Sequence, residues 1–284
     1  MSDRTITSEH LSGYREALRA AERSVSTLES YIRYAHEFVI WLDRRELTHQ
    51  AAADWKNTLT EGLLAASTIN CKIAAVNGLL SYLGRPDCRL RPVRRQRQLF
   101  RDERRELTRE EYGRLVRAAR DEKDERMALV METICATGIR VSELKFITNI
   151  TLERVRVGTA RISLKGKIRI IMVPSRLRSK LLRYASRQGI RGGELFLSDS
   201  GRSLSRKQIW AHMKALSLRA GVEPSKVYPH NLRHLFARAF YSECRDVVKL
   251  ADVLGHSSLE TTRIYLISTG AEHRAMLERL RLIS

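Results

Sequence analysis

The feature that most limits the fold of this 284-residue chain is an interruption. From Arg85 to Glu106 the apolar periodicity that organises the flanking sequence stops, Pro86 and Pro92 prevent a regular helix at the start, and nine arginines stand against four acids. Such a segment has no apolar face to bury, so the chain reads as two cores joined by a basic linker: a helical domain at 1–84, the linker at 85–106 and a second domain at 107–284.

The first domain is predicted to hold about four helices. Leu28, Tyr31, Ile32, Ala35, Phe38, Val39 and Leu42 recur at helical spacing, Thr48 caps a helix carrying Trp55 and Leu59, and Ser67 is placed to cap one whose stripe is Ile69, Ile73, Val76, Leu80 and Leu83. The second domain opens on a capping box, Thr108 with Glu111, and its second helix stops at Gly138. Three strands are then expected, Leu152 to Val157, Ala160 to Leu164 and Ile168 to Val173, forming a meander. Helices resume at Ser175, Ser205, His230, Asp246 and Leu259. The fold class is therefore mostly α with a small antiparallel three-stranded β-sheet, in two domains.

Lysine and arginine total 52 against 32 acids, a formal charge of +20, which favours a polyanionic partner, nucleic acid first. Arg94, Arg95 and Arg97 in the linker are suited to phosphate contacts, as are Arg206 and Lys207 on the helix after Ser205. The four cysteines are far apart and form no C-x-x-C pair, as expected of reduced thiols in a cytoplasmic protein. There is no apolar run long enough for a membrane span and no signal-peptide pattern.

The stretch Pro229–Tyr265 gathers the chemistry. His230 and Arg233 form an H-x-x-R step, Gly255-His256 follows, and Tyr265 comes nine residues after that histidine. An arginine that can hold phosphate oxygens, histidines that can move a proton and a tyrosine hydroxyl suit phosphoryl transfer without a metal or other cofactor. Histidines 230, 234 and 256 do not have zinc-protease spacing, and no thiolate or carboxylate completes a ligand set.

Arg140 and Glu143 in ATGIRVSEL, Lys165 in KGK, PHNLRHLFA and LGHSSLETTRIY occur in the order and at about the spacing of the tyrosine recombinase (phage integrase) family, which the chain resembles over nearly its whole length. The resemblance implies a core-binding first domain, a catalytic second domain and a DNA clamp between them. It implies a catalytic set of Arg140, Lys165, His230, Arg233, His256 and Tyr265. Tyr265 would form a 3′-phosphotyrosyl link, the two arginines would grip the non-bridging oxygens, and Lys165 would protonate the leaving 5′-oxygen. His230 would assist the tyrosine, His256 would bond the phosphate, and Glu143 would orient His230 or its surroundings. The hairpin departs from the family's usual G-K-G-x-K, because Leu164 replaces the first glycine and one residue fewer separates the lysines, so Lys167 stands as an alternative acid.

The implied activity is site-specific strand exchange between two duplexes through a four-way junction. The protein would act as a homo-tetramer on DNA, be a monomer or weak dimer when free, and use the helix predicted from Glu272 to Leu282 to dock on a neighbour. With no room for an arm-binding domain before residue 8, the chain resembles the compact Xer-like or mobile-element members. A type IB topoisomerase that nicks and reseals one strand, and a DNA-binding accessory protein that has lost cleavage, remain alternatives.

Overall fold

A computed structural model describes residues 6–94, 103–154, 158–164 and 167–265, with 274 and 278–280 of the tail. The chain divides into two compact units, Met1–Arg97 and Gln98–Ser284.

The first unit packs α1 (Ser8–Ala20), α2 (Val25–Leu42), α3 (His49–Glu61) and α4 (Ala66–Tyr82). The expected stripes are its core: Phe38, Leu42, Trp55, Ile69, Ile73, Val76 and Leu80 form one cluster, while Tyr14, Leu28, Ala35 and Leu79 form another. Thr48 caps α3 through its hydroxyl, which accepts from the Ala51 amide at 3.1 Å. The cap expected at Ser67 is corrected: α4 starts at Ala66 with Ala65 at the N-cap, and Ser67 falls in the first turn.

The segment after α4 remains attached to this unit. Asn77 exchanges two hydrogen bonds with the backbone of Leu90, both at 2.8 Å. Asn70 does the same with Val93, at 3.1 and 2.8 Å. Each amide acts as a short piece of β-ladder, satisfying backbone groups of the segment that follows the 3-10 turn Pro86–Cys88, and Cys88 and Leu90 are buried in the core. Arg94 follows, exposed.

The second unit begins with the expected capping box. The Thr108 hydroxyl accepts from the Glu111 amide at 3.1 Å, and the Glu111 carboxylate accepts from the Thr108 amide at 2.9 Å. Then come α5 (Arg109–Asp121) and α6 (Glu125–Thr137), ended by Gly138 at φ +64°. After a 3-10 turn, Val141–Phe146, come α7 (Asn149–Glu153), β1 (Thr159–Leu164) and β2 (Lys167–Met172).

The three-stranded meander is corrected to a two-stranded hairpin among the described residues, paired from Thr159↔Met172 to Leu164↔Lys167. Where the first strand was expected, Leu152 and Glu153 are helical. The Thr148 hydroxyl caps α7 by accepting from the Thr151 amide at 2.9 Å, and Leu152 is buried. Residues 155–157 lie outside the described ones.

The remaining helices are α8 (Ser175–Arg187), α9 (Arg206–Arg219), α10 (Pro229–Cys244), α11 (Val247–Leu254) and α12 (Leu259–Arg263). One continuous core joins Leu107 and α5–α10. A second cluster, Ala237, Leu250, Leu254 and Tyr265, fixes the segment after α12 against α10 and α11. Of the tail helix expected from Glu272 to Leu282, only Arg274 and 278–280 are described, all helical. No described helix is long and apolar enough to cross a membrane.

Candidate active site

Four chain breaks place the functional side chains. Gly138 ends α6 in the left-handed region, so the chain turns sharply and presents Arg140 at the N-cap of the 3-10 turn. Pro229 opens α10, which puts His230 in the first turn and Arg233 and His234 on the following one. Gly255, at φ +64°, ends α11 and delivers His256. Tyr265 lies just beyond the short α12, its amide donating to Thr262 O at 3.0 Å.

These breaks converge on Arg233, which is only 1 % exposed. Its Nη1 donates to Gly138 O, and its Nη2 donates to Leu254 O and faces His256 Nε2, both at 2.8 Å. The guanidinium therefore ties the end of α6 to the end of α11. Burial disfavours its charged form, while the nearby Tyr265 hydroxyl favours it. Its Nε has no protein partner. Burial and the backbone bonds make Arg233 a structural tie as well as a candidate phosphate ligand.

Tyr265 is 5 % exposed and sits among aromatic rings. The His234 ring meets it edge-on at 4.6 Å, and the His256 ring stacks on it at 6.0 Å. His234 in turn meets His230 at 4.7 Å. Burial, then the charges of His230, Arg238 and Arg233, push His234 down to about 3. Burial and Arg233, Arg140, Arg169 and His230 push His256 down to about 4. Partial desolvation and Arg233, Arg206 and Arg140 lower His230, whose side chain is open to solvent. All three histidines are thus held neutral near pH 7, able to accept a proton or a hydrogen bond.

Beside this cluster lies a cavity of about 760 Å³. Arg140, Arg206, Lys207, His230 and Arg233 line it together with Trp210 and Tyr228. Five residues of the expected catalytic set, Arg140, His230, Arg233, His256 and Tyr265, are brought together. Lys165, Arg95 and Arg97 lie outside the described residues. Among the described residues no cluster of His, Cys, Asp or Glu is arranged to hold a metal.

Glu143 is buried in the same assembly, but its partners are not His230. Its carboxylate accepts from the Arg140 amide at 2.7 Å and from Arg169 Nη1 at 2.8 and 2.6 Å, and it pairs with the Arg140 guanidinium at 3.5 Å. Arg169, which sequence reasoning missed, also donates from Nη2 to Val253 O at 2.7 Å. Its chain fills the space against Gly255, where an added Cβ would lie 2.5 Å from Arg169 Nε. Arg169 therefore links β2, the Arg140 turn and the end of α11. Thr262 is the second residue missed: its hydroxyl meets His256 Nδ1 at 2.8 Å. An isolated arginine in a strand and a threonine before the tyrosine gave no signal of their own.

Comparison with known proteins shows which family the chain belongs to. The phage integrase family matches residues 105–272. The tyrosine recombinase XerC of Roseiflexus castenholzii is 30% identical over 270 residues, covering 87% of this chain and 85% of that protein. The tyrosine recombinase XerA of Thermococcus kodakarensis is 28% identical over 270 residues, covering 92% and 91%. A lambda integrase tetramer bound to a Holliday junction shares the fold with a TM-score of 0.71 at 18% identity, covering 93% of this chain and 78% of that one. XerH bound to its difH substrate does so at 0.65 and 19%, covering 97% and 90%. The chain belongs to the phage integrase family and is a tyrosine recombinase, an enzyme that breaks and rejoins DNA.

Proposed function

We propose that the chain cuts DNA at a specific site through a 3′-phosphotyrosyl link to Tyr265 and exchanges strands between two duplexes through a four-way junction. The observation that carries this reading is the convergence of Arg233, hydrogen-bonded to His256, and Tyr265, stacked on the His256 ring, beside a cavity lined by Arg140, Arg206, Lys207 and His230. The Tyr265 oxygen attacks the scissile phosphorus and the bond to the 5′-oxygen breaks. The phenolic proton passes to neutral His230, and a hairpin lysine, Lys165 or Lys167, supplies a proton to the leaving oxygen. Rejoining reverses these steps, so bond energy is conserved and no nucleotide cofactor is consumed.

Arg140 and the free Nε of Arg233 provide donors for the non-bridging oxygens, where one fixed donor is worth about 10² to 10³ in rate. Arg206 and Lys207 on α9 hold the flanking phosphates. The first unit serves as the core-binding domain, with Arg94, Arg95 and Arg97 tracking the backbone between it and the catalytic domain. The assembly on DNA is a tetramer spanning two duplexes. The lambda integrase tetramer on a Holliday junction, which shares the fold, supports this expectation.

The test is covalent capture on nicked suicide duplexes drawn from a library of candidate sites. The native chain is expected to become linked to a 3′ DNA end in a denaturation-resistant complex, and Tyr265→Phe is not. Good duplex binding with no linkage by the native chain on any site would overturn the cleavage reading. Supercoil relaxation without junction formation would point to nicking and closing alone.

A further inference from the structure

We propose that Thr262 is a positioning residue that fixes which ring nitrogen of His256 faces Arg233 and, through its own backbone, where Tyr265 sits. The inference rests on the reading of His256 and Tyr265 as parts of the cleavage site, and it concerns a residue to which that reading gives no role.

The donor and acceptor inventory decides the tautomer. A guanidinium offers only donors, so the 2.8 Å contact between Arg233 Nη2 and His256 Nε2 requires Nε2 to present its lone pair. A neutral imidazole then carries its hydrogen on Nδ1. That nitrogen faces the Thr262 hydroxyl at 2.8 Å, so Nδ1–H donates and Oγ1 accepts. The neutral state this demands agrees with the low pKa of His256, set by burial and by Arg233, Arg140, Arg169 and His230.

Thr262 is fully buried, so no water can readily replace its hydroxyl. The same residue accepts the Tyr265 amide hydrogen at its carbonyl, at 3.0 Å. The His256 amide is held separately by Ala251 O, also at 3.0 Å. The backbone of His256 is thus fixed by α11, while its ring is oriented by α12, the helix that leads to the tyrosine. One side chain therefore couples the ring that supports Arg233 to the placement of the nucleophile.

The experiment combines two readouts on the full chain at pH 7.5. Long-range proton–nitrogen correlation spectra of ¹⁵N-histidine-labelled protein report the tautomer, with the His256 signals assigned by their loss in His256→Gln. Single-turnover cleavage of a suicide duplex and duplex affinity are measured in parallel. The native protein is expected to show the Nδ1–H tautomer. Thr262→Val should shift the His256 signals toward an averaged pattern and slow cleavage by about 10- to 100-fold, with duplex affinity within about twofold of native. Thr262→Ser should restore both.

An Nε2–H tautomer in the native protein would overturn the proposal directly, whether or not Thr262→Val folds. Native His256 signals in Thr262→Val would overturn it as well. If native protein cleaves no duplex, the cleavage reading fails, whereas the tautomer spectra still decide the role of Thr262.

Discussion

Replacing Arg169 with methionine tests how the second unit holds its site together. Arg169 gives two hydrogen bonds to Glu143 and one to Val253 O, and only 13% of its side chain and 3% of that of Glu143 are exposed. Methionine keeps most of the volume but leaves a buried carboxylate with the Arg140 amide and a longer contact to its guanidinium. Breaking a buried pair from one side costs about 3–5 kcal/mol, and the lost bond to Val253 adds about 1 kcal/mol. Adding Glu143→Gln removes the stranded charge, so the double variant should recover about half of the loss or more, a coupling of about 2 kcal/mol. Lysine at 169 should recover less than arginine provides, because it cannot span both the carboxylate and the carbonyl with one planar fork.

Tryptophan fluorescence during urea unfolding measures this once Trp41 and Trp55 are replaced by phenylalanine in every variant. Trp210, the remaining one of the three, then reports on the second unit alone. A loss below about 1 kcal/mol in Arg169→Met would refute the assignment of Arg169 as the tie between β2, the Arg140 turn and α11. So would a double variant less stable than the single one.

Two further outcomes follow from the same geometry. His234 and His256 titrate at about 3 and about 4 in the folded chain against an ordinary value of 6.5, so the unfolded chain binds more protons between those values. Their contribution to stability is complete above about pH 6.5 and falls as the medium is acidified, by up to about 1.4 kcal/mol per pH unit for His234 and by less for the more solvent-screened His256. Melting temperature should therefore drop from pH 7 to pH 5, less steeply in His234→Asn, and equal slopes would contradict the assigned burial. Gly138→Ala places a Cβ 2.4 Å from the Phe236 ring at φ +64°, so it should destabilise the second unit by about 2 kcal/mol or more and abolish covalent capture by displacing the Arg233 tie. Gly113→Ala, in α5 with open space around it, is the control and should be neutral or stabilising by up to about 1 kcal/mol in the same urea assay.

Much of the site was legible before any coordinates. Arg140, His230 and His256 each stand within two residues of a break or helix start, at Gly138, Pro229 and Gly255, and Arg233 follows one turn after Pro229, whereas Tyr265 comes seven residues after the Ser258 cap of α12. Such signals act over three or four residues, so they survive in the sequence. The start of the strand expected over Leu152 to Val157 is helical instead, at Leu152 and Glu153, for a related reason. Val155 and Val157, alternating with arginine, fit a strand, but Thr148 caps a helical turn that the burial of Leu152 rewards.

Caps, glycines and apolar stripes are local devices, so most of the helices, the breaks between them and the order of the reactive side chains can be read from the sequence, α7 and the start of α4 excepted. Tertiary structure alone decided which of two equally plausible faces of β2 turns inward. Ile170 and Met172 are as apolar as Ile171 and the following Val173, yet the first pair is exposed while the second is buried, with Arg169 on its side. Alternation gives a strand two faces without saying which is covered. The choice falls to Arg169 because Glu143 and the Val253 carbonyl, 26 and 84 residues away, satisfy its charge and donors. The burial of Arg233 has the same origin, since the carbonyls that receive it, of Gly138 and Leu254, are 95 and 21 residues distant and meet only when α6, α10 and α11 have packed.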